Sequence, residues 1–186
     1  MTPHHASGTV TPASVLSLAQ ARPPTLGRGR LVCVDGPSGS GKTTLAEGIA
    51  ALRPGTPVVH MDDLYQGWDG LAGVADQLDG LLRPLAGGVA GRYRRWDWVA
   101  GDWAETHLVE PGPLLVLEGV GSGSPGTADL ITVLVWVEAA YDDRMARGIA
   151  RDGAAYEPHW HRWAEQEAAL FAEHDTRARS DLVLRT

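Results

Sequence analysis

One lysine, Lys42, stands against fifteen arginines in the 186 residues. Any site that needs a compact ammonium group must use that residue, and a guanine-reading [NT]-K-x-D motif elsewhere is excluded. Cysteine is as scarce. Cys33 is alone, so no intrachain disulfide can form, and within the apolar stretch "RLVCVDG" it reads as a small buried core residue rather than a reactive thiol. Positive charge is in deficit, with a formal net charge of −7. That argues against nucleic acid or an anionic membrane surface as partner, because both select a basic field. Long apolar runs are lacking too: "PLLVL" and "LITVLVWV" fall well short of the roughly 20 residues of a spanning helix. The N-terminus carries neither the basic start nor the apolar stretch of a signal peptide, so a soluble, cytoplasmic protein is expected.

What is present is enough apolar material, 44%, for one core. Residues 1 to about 11 read as a disordered lead. Thr11 then caps a short helix with Pro12 at its first position, so 1–27 is taken as a lead plus helix and 28–186 as the main domain. "RLVCVD", "TPVVHM", "PLLVLEG", "LITVLVWV" and "SDLVLR" are short unbroken apolar runs, and helical spacing follows most of them. Leu71, Val74, Leu78, Leu81, Leu82 and Leu85 recur at helical intervals, and helices are also expected over 139–152 and 158–174. Continuous apolar strands alternating with helices imply an α/β fold with a parallel sheet of about five strands, covered on both faces.

"GPSGSGKTT" at 36–44 matches G-x-x-x-x-G-K-[ST], with a strand before it and a helix after it. Glycines let successive backbone N–H groups wrap an anion, and the new helix points its positive end at the same place. Gly36, Ser38, Gly39, Ser40, Gly41, Lys42, Thr43 and Thr44 are therefore the candidate nucleotide-binding residues. Lys42 is placed to reach between β- and γ-phosphate, and Thr43 to put its hydroxyl on Mg²⁺.

Asp62 and Asp63 in "VVHMDDLY" fall at the carboxyl end of the second strand, the edge where open α/β sheets bind ligands. A carboxylate there serves as a base toward a substrate hydroxyl or holds a metal through water; a helix cap or solvated turn is the other reading. Glu118 ends the third strand, as a metal-holding acid or as an ordinary loop acid. Arg144, Arg147 and Arg151 lie three and four apart on one helix face, either solvated or forming a lid over transferring phosphates. Tyr65, Trp68, Tyr93, Trp96, Trp98 and Trp103 crowd one 39-residue window. They suit a flat ring or a sugar, or else a small satellite core. Arg92, Arg94 and Arg95 beside them either hold an acidic acceptor or face water. His159 and His161 lie two apart, on different helix faces, and are read as structural rather than as a zinc site.

Four blocks, "GPSGSGKTT", "DDLY", "LEGV" and "DDRMARGIARD", together with "RARSDLVL", occur in the order found in the uridine kinase family of P-loop kinases, relatives of phosphoribulokinase and bacterial pantothenate kinase, and the chain resembles that family from residue 31 to 184. The resemblance implies a P-loop NTPase three-layer fold with a five-stranded parallel sheet, ATP and Mg²⁺ as cosubstrate, and phosphorylation of a small-molecule hydroxyl. It implies Asp62 as base, with Lys42, Arg144 and Arg147 acting on the transferred phosphate. It also implies Tyr65 and Tyr93 at the acceptor and Arg151 in the lid; the residue patterns themselves put Arg151 with the nucleotide, Thr43 and Glu118 with the metal, and Trp96 and Asp63 with the acceptor. On this reading residues 65–105 form the acceptor-binding insert and 141–157 an arginine lid. The stretch between Tyr65 and Tyr93 is shorter than the family's pattern, and "RRWDWVAGDW" after Tyr93 carries no histidine.

The expected function is thus ATP-dependent phosphoryl transfer to a small-molecule alcohol, with no nucleic acid or membrane partner and a homo-oligomer left open. The alternative is a nucleotide-binding regulatory or scaffold protein of the same fold without turnover.

Overall fold

The computed structural model describes residues 9–153 and 157–186; the expected lead over residues 1–8 and lid residues 154–156 lie outside them. Thr11 caps α1 (Pro12–Ala21) with Pro12 at its first turn, as the sequence predicts, and Ser14 closes a capping box with it. Then follow β1 (Arg30–Asp35), α2 (Lys42–Ala51), β2 (Val58–His60), α3 (Val74–Ala86), β3 (Gly91–Asp97), β4 (Asp102–Val109), β5 (Leu114–Glu118), β6 (Val133–Glu138), α4 (Tyr141–Asp152), α5 (Glu157–His174), α6 (Thr176–Arg179) and β7 (Leu182–Arg185).

Five strands form one parallel sheet in the order β2-β5-β1-β6-β7. Its two faces can be read from β1. Leu31 and Cys33 point to one side and Val32 and Val34 to the other, and all four are fully buried. The first face packs on Leu78, Leu81, Leu82 and Leu85 of α3 and Trp163 of α5. The second packs on Val15 and Ala19 of α1 and Leu45, Ala46 and Ile49 of α2. Each large aliphatic side chain buried this way contributes about 1.5–3 kcal/mol. Helix α1 therefore completes the second face. Arg22, just beyond it, donates to Asp181 at 2.7 Å and to the Thr132 carbonyl at 2.7 Å, tying it to the β6 and β7 side of the sheet.

One local expectation changes, and a segment without an assigned element takes shape. Leu71 is buried, but it belongs to a 3-10 stretch, Gly67–Gly73, ahead of α3. Gly67, Gly70 and Gly73 weaken an α-helical start there. The Trp- and Arg-rich segment is an antiparallel hairpin of β3 and β4. Its alternation is visible at Gly91, Tyr93 and Trp96, which are buried while Arg92 and Arg94 are exposed. The register shifts between Arg94 and Trp96, and that irregularity breaks the period of two on which a strand is recognised.

Candidate functional site

The phosphate loop joins β1 to α2. Gly36, Gly39 and Gly41 all have positive φ, at 136°, 76° and 91°. The tightest is Gly36, where a Cβ would lie 2.1 Å from the Val137 carbonyl oxygen of β6. Gly41 caps α2 without a side-chain hydrogen bond, so the first N–H groups of that helix are left for an anion. Lys42 is largely buried and its Nζ donates to the Pro37 carbonyl at 3.0 Å, spanning the loop from within.

Asp35, the last residue of β1, is fully buried beneath the loop. Its carboxylate accepts from the N–H groups of Gly36 at 2.7 Å, Gly121 at 3.0 Å and Gly123 at 2.8 Å. Burial pushes its pKa up to about 6, against those three donors and the nearby Lys42 charge, which pull it down. The phosphate loop and the turn after β5 thus share one anchor. Sequence reading passed over Asp35 because an acid ending an apolar strand gives no local sign that backbone donors surround it.

Glu118, at the end of β5, accepts from Thr43 Oγ1 at 3.2 Å, and its Oε1 lies 2.5 Å from His60 Nδ1. The hydrogen bond to Glu118 raises the His60 pKa. One hydroxyl and one carboxylate, side by side at the loop's mouth, are hard oxygen donors that fit Mg²⁺ completed by water and phosphate oxygens. Among the described residues no group of three or more His, Cys, Asp or Glu side chains is arranged to hold an ion alone.

A cavity of about 1020 Å³ opens over the loop, and Lys42, Thr43, Glu118, Asp62, Arg147 and Trp68 are among its walls. Asp62 and Asp63 both reach it. Asp62 is exposed, and its main-chain carbonyl accepts from Trp98 Nε1 at 2.9 Å. Asp63 is half-buried, which raises its pKa, while His60, His107 and Arg95 act the other way. Arg147 and Arg151 also line the cavity, with Arg147 Nη1 donating to the Gly39 carbonyl at 3.3 Å and to Thr186 Oγ1 at 2.9 Å. Trp68 stacks on His159 at 4.4 Å and meets Trp98 and Trp163 edge-on at 5.0 and 6.1 Å, forming an aromatic wall beside the two aspartates. In the sequence His159 reads as structural, and nothing local marks Trp163 as a site residue.

Other expected site residues are placed differently from expectation. Arg144 is absent from the cavity walls: its Nη1 donates to the Ser38 carbonyl at 3.1 Å, outside the loop. Tyr65 is among the cavity walls, but it is fully buried and its hydroxyl donates to the Val120 carbonyl at 2.7 Å, so it offers the cavity ring surface rather than a free polar group. Tyr93 stacks on His107 at 5.2 Å and packs into the main core with the α3 leucines, and Trp96 is buried edge-on against Trp103 at 5.1 Å; neither is among the cavity walls. Arg95 is bound by Glu105 at 2.7 Å, and Arg94 lies over the Trp103 ring at 5.8 Å. Arg92, Arg94 and Arg95 are likewise not among the cavity walls.

The five-stranded parallel sheet with its glycine-rich loop is a fold shared with solved structures. A "possible uridine kinase" from Bacillus stearothermophilus matches with a TM-score of 0.62 at 20% identity, over 93% of this chain and 96% of that one. A "putative fructose transport system kinase" from Silicibacter sp. TM1040 matches with a TM-score of 0.63 at 23% identity, over 94% and 98%. At these identities the likeness is one of fold. No protein-family model matches the chain, and no curated protein matches it. Among the described residues no helix is long and apolar enough to cross a membrane.

Proposed function

We propose that the protein transfers the γ-phosphoryl group of ATP to a hydroxyl of a small molecule. The observation that carries this reading is the convergence of Lys42, Thr43, Glu118, Asp62, Arg147 and Arg151 on one cavity. In this reading the backbone N–H groups of the loop and Lys42 hold the β- and γ-phosphates. Thr43 and Glu118 hold Mg²⁺, which when bound offsets phosphate charge. Arg147 and Arg151 supply positive charge where negative charge develops during transfer. Asp62 accepts the proton of the attacking hydroxyl, with Asp63 and its raised pKa the neighbouring candidate.

The acceptor end favours an uncharged ring or sugar over an acidic molecule. Its walls are Trp68, Trp98, Trp163 and His159 with Asp62 and Asp63, and Arg92, Arg94 and Arg95 do not reach it. A carboxylated acceptor would meet two aspartates there without a paired cation from the hairpin. Nucleic acid and membranes are not proposed as partners, and the proposed site of action is the cytoplasm.

The test is ATP consumption with Mg²⁺ across a panel of nucleosides, sugars, vitamins and acidic alcohols, run beside Asp62→Asn. Turnover confined to uncharged acceptors and lost in Asp62→Asn is expected. Nucleotide binding without turnover on any acceptor would favour a regulatory or scaffold role instead.

A further inference from the structure

Ser38 is held by its main chain from two directions. Its N–H donates to Glu167 Oε1 at 2.9 Å, and its carbonyl accepts from Arg144 Nη1 at 3.1 Å. The Ser38 hydroxyl also donates to Glu167 Oε1, and Trp163 Nε1 donates to the same oxygen at 2.7 Å. Glu167 and Arg144 lie 3.9 Å apart as an ion pair, with side chains only 3% and 11% exposed. Rings back the guanidinium, Tyr141 at 5.4 Å and Trp160 at 5.9 Å. Neither Glu167 nor Arg144 lines the cavity, whereas Ser38 and Gly39 do.

We propose that Glu167 and Arg144 are positioning residues, a clamp that sets the Ser38–Gly39 peptide so that the phosphate loop is shaped before nucleotide arrives. In a planar trans peptide the C=O and the following N–H point in opposite directions. Arg144 draws the Ser38 carbonyl to the outer side, so the Gly39 N–H faces the other way, on the cavity side of the loop. Glu167 fixes the preceding peptide through the Ser38 N–H, and its charge keeps the Arg144 guanidinium in place. Gly39 has little room to escape the grip, because a Cβ there would lie 2.3 Å from the Arg144 carbonyl oxygen. Trp163, which lines the cavity, donates to the same carboxylate, so the clamp also joins the aromatic wall to the loop.

The inference rests on the reading of the loop as a nucleotide site, and the experiment separates the two. MgATP is titrated calorimetrically into the wild-type chain, Glu167→Gln, Arg144→Gln and the double variant, with circular dichroism confirming the fold of each. Each single change is expected to weaken MgATP about tenfold, the size of one charge-assisted hydrogen bond. The double variant is expected to lose no more than the weaker single, since both groups grip one residue. KM for ATP should rise more than kcat falls, and the Trp163 indole N–H resonance should move in Glu167→Gln. Folded variants that bind MgATP as the wild type does would overturn the clamp alone. Additive losses would also overturn it, by placing Arg144 on the phosphates directly. Should Glu167→Gln not fold, Arg144→Gln decides by affinity and by the KM and kcat split. A wild-type chain with no heat of MgATP binding overturns the nucleotide reading and the clamp with it.

Discussion

Thr43 Oγ1 donates to Glu118 Oε1 across 3.2 Å, and this contact ties the first turn of α2 to the carboxyl end of β5. Parallel pairing makes the meeting possible. Glu118 stands beside Val34 of β1 and His60 of β2, so three strand ends deliver their next residues to one edge. The same pairing brings Asp62 to the loop that holds Lys42, although twenty residues separate them in the chain.

Lys42→Arg should weaken MgATP by about tenfold or more in calorimetry, because a planar guanidinium cannot occupy the space of an ammonium inside a closed loop. Wild-type affinity in that variant would mean the solitary lysine is dispensable.

Asp62→Asn should leave MgATP affinity within a few-fold and lower turnover by about 10²–10⁴, the usual contribution of a positioned base. Asp63→Asn is expected to cost less. The reverse order, measured on the acceptor found by the panel, would move the base to Asp63.

Stability should carry the signature of Asp35. Its folded pKa of about 6 lies above the ordinary 3.8, so from about pH 4 to 6 the unfolded chain releases a proton that the folded chain keeps. This contribution is complete below pH 4 and is lost as pH rises through 6, by an amount on the order of 3 kcal/mol. Urea midpoints of wild type and Asp35→Asn across that range check it: the difference between them should change from pH 4 to 6 and level above.

Gly36→Ala should destabilise the fold by about 3 kcal/mol or more, combining a left-handed backbone with a contact that cannot relax. The Cβ would meet backbone of β6 at 2.1 Å, not the end of a flexible side chain. A thermal midpoint unchanged from wild type would show that the loop can shift away from β6.

Trp68→Ala should raise KM for the acceptor by about tenfold while leaving MgATP affinity alone, since the ring lines the cavity at the proposed acceptor end and its face is lost there. Steady-state kinetics with each substrate varied separates the two effects.

The amino-acid order by itself determined the five apolar strands, the loop with its glycines and lone lysine, the cap of α1 and the placement of Asp62 and Glu118 at strand ends. These are local signals: period, turn chemistry and a contiguous motif report backbone conformation within a few residues. Tertiary structure alone decided which charged groups face the cavity. Arg144 and Arg147 are three apart on one helix and donate to successive loop carbonyls, Ser38 and Gly39, yet only Arg147 also lines the cavity. Glu167 reaches Ser38 from 129 residues away, and nothing in the neighbourhood of either residue encodes that meeting. The hairpin was hidden by its own bulge, and Tyr93 turned into the main core with the α3 leucines, where burying its ring is favourable. Local conformation is written residue by residue; the partner of a buried charge is set by how the layers pack.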